Sequence, residues 1–269
     1  MNICFVGGGN MATAMIGGML KRGYSAKSIR VVEINAEARA RLHEELGIRA
    51  VAAIHEGVEH SQVVVLAVKP QQLREVAQEI KAGLDGQLVI SIAAGVRAQD
   101  LARWLGTQNI VRAMPNTPAL VRSGMTGLYA LPEVEAAQRE HAQHILAAVG
   151  HTLWLQDEAM MDAVTAISGS GPAYVFYFIE AMQQAAQEMG FTLEEARRLT
   201  LDTFLGATKL ADASTEEVSV LRARVTSKNG TTERALLAMA AAQVKDGIIA
   251  GAKAAAARSR ELGDELGGD

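Results

Sequence analysis

Three glycines interrupt the first apolar run of the chain, in Asn2-Ile3-Cys4-Phe5-Val6-Gly7-Gly8-Gly9-Asn10-Met11-Ala12. Gly7, Gly9 and Ala12 fall on the spacing G-x-G-x-x-G/A, which belongs between a strand and a helix. In that pattern the first glycine permits the sharp turn and the second lets the backbone approach a pyrophosphate. The third small residue keeps the helix close to the strand. The pyrophosphate then rests on the unpaired N–H groups of the helix start. Val6, Gly7, Gly8, Gly9, Asn10 and Met11 are the expected wall of such a site. An ordinary tight turn can use three glycines as well, but the preceding strand and the alternation that follows favour dinucleotide binding.

Two further places could do chemistry. Glu33 lies 21 positions beyond Ala12, at the end of the next β-branched run. An acid there binds the adenosine ribose hydroxyls and repels a 2′-phosphate, favouring NAD over NADP. A solvated strand end is the equal alternative. Much later comes Val225-Thr226-Ser227-Lys228-Asn229-Gly230-Thr231-Thr232-Glu233. Hydroxyls and free backbone N–H groups ahead of a helix make a cradle for a small carboxylate. On these residues alone, a helix N-cap by Thr231 or Thr232 is the simpler reading.

The elements that must position these residues are legible in the first half. Ile29–Glu33 is a short strand, and Ala36–Leu46 a polar helix stopped by Gly47. Val63–Val68 is a continuous apolar run, as in a parallel strand buried on both faces. It ends at Lys69-Pro70, with a helix to about Lys81. Leu88–Ile92 ends in Ala93-Ala94-Gly95, and Ile110–Met114 in Pro115-Asn116-Thr117-Pro118. Strands alternating with helices predict a parallel, doubly wound sheet whose ligand lies beyond the carboxyl ends of the strands. Ala67, Val68, Lys69, Pro70, Ala93, Ala94 and Gly95 therefore face the same crevice as the glycine turn.

The second half changes character. Gly124–Ala130 and His151–Leu155 are two more strands around a helix from Glu133 to Val149, after which strand signals stop. Ser168-Gly169-Ser170-Gly171-Pro172 reads as a lead into a helix with the apolar stripe Val175, Phe178, Ile179, Met182, Ala186 and Met189. Gly190 stops it, and Thr192 with Glu195 forms a capping box for the next helix. Ser214 with Glu217 has the same spacing, and Ala235–Ala257 makes a further helix or pair. Apolar stripes this extensive predict a covering surface, supplied from within or by a second subunit.

Composition excludes several classes. The 269 residues are 49% hydrophobic and 21% charged with net charge −4, so a nucleic-acid or anionic-membrane surface is not expected. No apolar run approaches the roughly 18 residues of a membrane span. With neither a signal peptide nor a span, the cytoplasm is the expected compartment. Cys4 is the only cysteine; it lies in the first strand and reads as core packing.

Taken together, the motifs resemble the pyrroline-5-carboxylate reductase family. The likeness runs through Phe5–Ala12, Ala67-Val68-Lys69-Pro70, Ser91–Val96 and Arg112–Pro118. Its most specific parts are Ser168-Gly169-Ser170-Gly171-Pro172-Ala173-Tyr174 and the Thr226–Thr232 loop. The resemblance implies an α/β fold, a Rossmann-type doubly wound sheet in residues 1–157 followed by an all-α dimerisation and substrate domain in residues 158–269. It implies reduction of 1-pyrroline-5-carboxylate to L-proline by NADP or NAD in its reduced form, without a metal. It further implies a homo-oligomer, at least a dimer and in some members a ring of dimers. The substrate carboxylate is expected on Ser227, Gly230, Thr231 and Thr232 beside the nicotinamide, with Thr232 as the catalytic side chain at the imine nitrogen. Two departures stand out. The family usually has Ser-Pro-Gly-Gly-Thr-Thr where this chain has Ser227-Lys228-Asn229-Gly230-Thr231-Thr232, and asparagine tolerates the left-handed backbone required. Glu33-Ile34 replaces the Asn-Arg or Ser/Thr often found in NADP-accepting members. A β-hydroxyacid dehydrogenase would need a lysine within Tyr174–Phe178, where there is none, and a deazaflavin-linked reductase would lack both substrate loops.

Overall fold

Ile3–Val6 forms β1, and all four of its side chains are buried, as a strand between two helical layers requires. Gly7 turns the chain at φ +102° into α1 (Asn10–Lys21). There follow β2 (Ile29–Val32), α2 (Ala36–Leu46), β3 (Arg49–Val51), α3 (Ile54–Val58), β4 (Val63–Leu66) and α4 (Leu73–Ile80). β5 (Leu88–Ser91), α5 (Ala98–Leu105), β6 (Ile110–Met114), β7 (Gly124–Ala130), α6 (Ala136–Ala147) and β8 (Gly150–Trp154) complete the sheet. The strand order is β3-β2-β1-β4-β5-β6-β7-β8. β1 to β6 are parallel; β7 runs antiparallel to β6, and β8 parallel to β7. α1 touches α2 and α6, whereas α4 touches α3 and α5, so helices form a layer on each face.

This computed structural model describes residues 1–268 and divides into two units. The sheet unit is Met1–Ser170 together with the chain from Ala255, and the helical unit is Gly171–Ala254. These bounds differ from a cut at 157/158, because Glu158 and the stretch up to Ser170 bond into the sheet unit. One continuous core holds that unit, including Phe5, Met15, Ile29, Leu66, Ile90 and Ile145. Cys4 belongs to it, and burial pushes its thiol up to about 12, so it packs rather than reacts. Asn35 caps α2 by accepting from the Ala38 N–H at 2.9 Å, and Gly47 ends that helix at φ +65°.

Four features depart from the sequence expectations. β3 and α3 were not foreseen; both are short, and α3 fits only because Gly57 lies where a Cβ would meet Val32 at 2.2 Å. The antiparallel β7 makes the sheet mixed. Ser168–Gly171 is no loop: α7 (Met160–Val164) runs into a π-helical turn, Thr165–Gly169, just before α8 (Gly171–Glu188). The Ser214–Glu217 box does not form, since Ser214 Oγ accepts from the Glu216 N–H at 3.1 Å and α10 (Val218–Arg224) starts later.

In the helical unit α9 (Leu193–Asp212) opens on the capping box of Thr192 and Glu195. α10 is followed by α11 (Thr231–Ala241) and α12 (Val244–Gly267), with Gln243 between them at φ +53°. Among residues 171–254 only Ala196 and Thr200 are buried. Tyr177 and Met189 are each 74% exposed. The last turns of α12 belong to the sheet unit: Ser259 Oγ donates to Asp162 at 2.6 Å, and Arg97 pairs with Asp264 at 2.5 Å.

Candidate active site

The chain reverses its direction of travel across the sheet between β1 and β4, and ligands of doubly wound sheets bind at such switch points. Gly7 closes that point. Its N–H donates to Val32 O at 2.8 Å, and a Cβ on it would sit 2.7 Å from Ala67 O. The Gly7 turn and Ala67-Val68 therefore lie side by side. Gly9 is the N-cap of α1 with no side-chain cap, and nothing stands within 4 Å of where its Cβ would be. A phosphate would meet open space and free N–H groups there, while Ala12 is buried beneath. This cradle fits the pyrophosphate of a dinucleotide.

Glu33 is folded onto the same turn. Its Oε2 accepts from the Gly8 N–H at 3.0 Å and its Oε1 from the Asn35 N–H at 2.9 Å. Arg39 Nη1 donates to the carbonyls of Glu33 and Ile34 at 2.8 and 2.9 Å. Lys69 is exposed and leads a short 3-10 turn with Pro70 at its first position. After β5, Ala93 is buried, and Gly95 has φ +80° with the side chains of Leu262 and Leu266 against it. Gly95 thus faces the end of α12, and only Ala94 of that trio remains half-buried at the turn.

Two polar clusters that sequence reasoning passed over support this region. Arg112, 4% exposed in the middle of β6, pairs with Glu158 at 2.9 Å. The same Glu158 Oε1 accepts from the Ala98 N–H at 2.7 Å, fixing the start of α5. A charge inside an apolar strand was the available signal. Asn116 Nδ2 donates to Ser168 O at 3.1 Å and to Ser168 Oγ at 3.2 Å, and its Oδ1 accepts from the Met125 N–H at 2.9 Å. Ser168 Oγ donates to Met125 O at 3.3 Å. The π-helical turn is thereby clamped to the end of β6 and the start of β7; nothing local in the sequence marks that pairing.

In the helical unit the loop before α11 folds tightly. Asn229 is at φ +60°, and its N–H donates to Glu233 at 2.7 Å. Gly230 N–H donates to Ser227 O at 3.0 Å, and a Cβ on Gly230 would meet Ser227 Oγ at 2.3 Å. Gly230, not a threonine, is the N-cap of α11, and no side chain caps it. The simpler reading of Thr231 and Thr232 as caps is therefore excluded. The Gly230 amide is engaged inside the loop, and the Thr231 and Thr232 amides and the Ser227 hydroxyl stand beside it at the start of α11. Among the described residues, no group of histidine, cysteine or carboxylate side chains could hold a metal ion.

Comparison with known proteins decides what these parts belong to. The family model described as pyrroline-5-carboxylate reductase dimerisation matches residues 158–262. A relative from Pseudomonas aeruginosa with the name pyrroline-5-carboxylate reductase is 48% identical over 267 residues, covering 98% of each chain. The chain belongs to the pyrroline-5-carboxylate reductase family. Its activity is the reduction of 1-pyrroline-5-carboxylate to L-proline by hydride transfer from NAD(P)H, the last step of proline biosynthesis. The solved Coxiella burnetii pyrroline-5-carboxylate reductase superposes with a TM-score of 0.92 at 40% identity, over 97% of this chain and 98% of that one. A Plasmodium falciparum pyrroline carboxylate reductase with NADP bound superposes at 0.89 with 28% identity, over 98% of each chain. A second family model, for coenzyme F420-dependent NADP oxidoreductases, matches residues 2–95 alone, the glycine turn and the strands around it. The Rossmann-type sheet and the all-α dimerisation domain expected from the family resemblance are thus both present.

Proposed function

We propose that residues 1–157 act as the NAD(P)-binding domain and residues 158–269 as the dimerisation and substrate domain. The dinucleotide lies along Val6–Met11, with Glu33, Ala67–Pro70 and Ala93–Gly95 forming the rest of its crevice. Bound there, NAD(P)H supplies the hydride. The Ser227 hydroxyl and the Thr231 N–H hold the substrate carboxylate, and Gly230 lets Ser227 close over the loop. Thr232 directs its hydroxyl at the imine nitrogen. A cyclic imine accepts hydride readily only when that nitrogen is protonated or strongly hydrogen-bonded. Thr232, of ordinary acidity, orients the protonated imine or relays a solvent proton. Most of the rate then comes from holding two rings face to face.

The uncapped start of α11, with Thr231 and Thr232 as its first two residues, carries this reading. We propose the same chain as a cytoplasmic homo-oligomer, with dimers assembling into a ring. Among the described residues no single helix is long and apolar enough to cross a membrane. Mixing the protein with pyrroline-5-carboxylate and NADH or NADPH should deplete nicotinamide absorbance and yield proline. Absence of turnover with both cofactors would refute the assignment.

A further inference from the structure

We infer that Glu33 makes this chain an NADH-preferring member, and that the discrimination acts on the adenosine ribose. The inference rests on the dinucleotide reading of the glycine turn. Glu33 is no free strand end: its carboxylate is held by the Gly8 and Asn35 N–H groups at 3.0 and 2.9 Å, so it cannot swing aside without losing both. A carboxylate fixed beside Gly8 accepts hydrogen bonds from ribose hydroxyls. A 2′-phosphate brings roughly 1.5 to 2 negative charges, like that of a phosphorylated side chain, against the same fixed anion.

The neighbouring side chains do little to offset it. The residue after Glu33 is Ile34, 82% exposed and apolar. Arg39 has Nη1 spent on the carbonyls of Glu33 and Ile34. Arg30 Nη1 donates to Glu56 O at 3.0 Å. Within the sheet unit Arg39 and Arg30 thus each have Nη1 held on backbone carbonyls, while the anion is preorganised.

The test separates binding from turnover. Titration calorimetry of the full chain with ADP-ribose and with 2′-phospho-ADP-ribose reads the ribose contact without the nicotinamide. ADP-ribose should bind at least about tenfold more tightly, about 1.4 kcal/mol. Glu33→Gln should narrow that ratio by about tenfold or more, chiefly by tightening the phosphorylated ligand. Ile34→Arg, at a largely exposed position, should narrow it too while Glu33 stays in place. A wild-type ratio under tenfold, or a ratio that neither variant moves, overturns the inference. Proline formation with NADPH in that case would leave the reductase assignment standing. Failure of both ligands to bind would remove the dinucleotide site itself.

Discussion

Thr232 and Gly7 show how far one residue can be read. Thr232 is the second residue of a helix whose N-cap is Gly230, so its hydroxyl has no capping duty. Thr232→Ala should therefore lower kcat by on the order of a hundredfold, the scale of positioned proton help, with NAD(P)H affinity unchanged. Thr232→Ser should recover much of the loss. Unmutated rates in Thr232→Ala would reduce Thr232 to a scaffold residue, with the proton drawn from solvent alone. Gly7 combines φ +102° with a Cβ position 2.7 Å from Ala67 O. Gly7→Ala must push the glycine turn off β4. Dinucleotide affinity should fall by about tenfold or more, about 1.4 kcal/mol, in a calorimetric titration. Equal affinity would show that the crevice does not depend on that close approach.

At the scale of elements, β6 and its neighbours are held by charges and amides that reach across the chain. Glu158 neutralises the buried Arg112 and also receives the first N–H of α5. Removing it leaves a guanidinium in the core without a counter-charge. Glu158→Ala should cost about 3 kcal/mol, in the range for breaking a buried pair. Thermal unfolding should drop by on the order of 10 °C for a protein of this size. A change within a degree or two would mean that water reaches Arg112 and screens it. The π-helical turn is comparable in kind: π turns are rare and cluster at functional positions. Asn116 uses both ends of its amide to hold Ser168 and Met125 around it.

At the scale of the molecule, the helical unit buries too little of its apolar surface to hold together on its own core. Two buried residues among 171–254 leave the aromatic and aliphatic faces of α8 to α12 in water. Tyr177, Met182, Met239 and Ile248 line an apolar groove of about 640 Å³ within that unit. The family model matching residues 158–262 is described as a dimerisation domain. Light scattering at micromolar concentration should give a dimer or a multiple of it. Ile248→Asp, at a side chain 43% exposed in the single chain, should shift the protein towards monomer and lower its thermal stability together. A wild-type monomer, or a variant that assembles normally, would place the interface elsewhere.

The sequence determined whatever is local. Apolar runs ending in small or proline-containing turns specify parallel strands because both faces of such a strand must be buried. The glycine turn is legible because only glycine adopts Gly7's backbone. The asparagine in the substrate loop is legible for a related reason, since Asn229 takes the left-handed conformation at φ +60°. Tertiary structure decided whatever depends on partners far along the chain. Glu33 reaches back 25 residues to Gly8, which turns an ambiguous strand end into a fixed anion. β3 and α3 are too short to show a period and exist because the sheet edge and Gly57 accept them. Gly95, at the turn after β5, receives Leu262 and Leu266 from the last helix, a contact that no local pattern shows. Gly230 spends its amide on Ser227, which no spacing rule reveals, because a hydrogen bond inside a loop is chosen by the path of the backbone. Local propensity fixes which elements form; packing and long-range hydrogen bonds fix which polar groups remain free for chemistry.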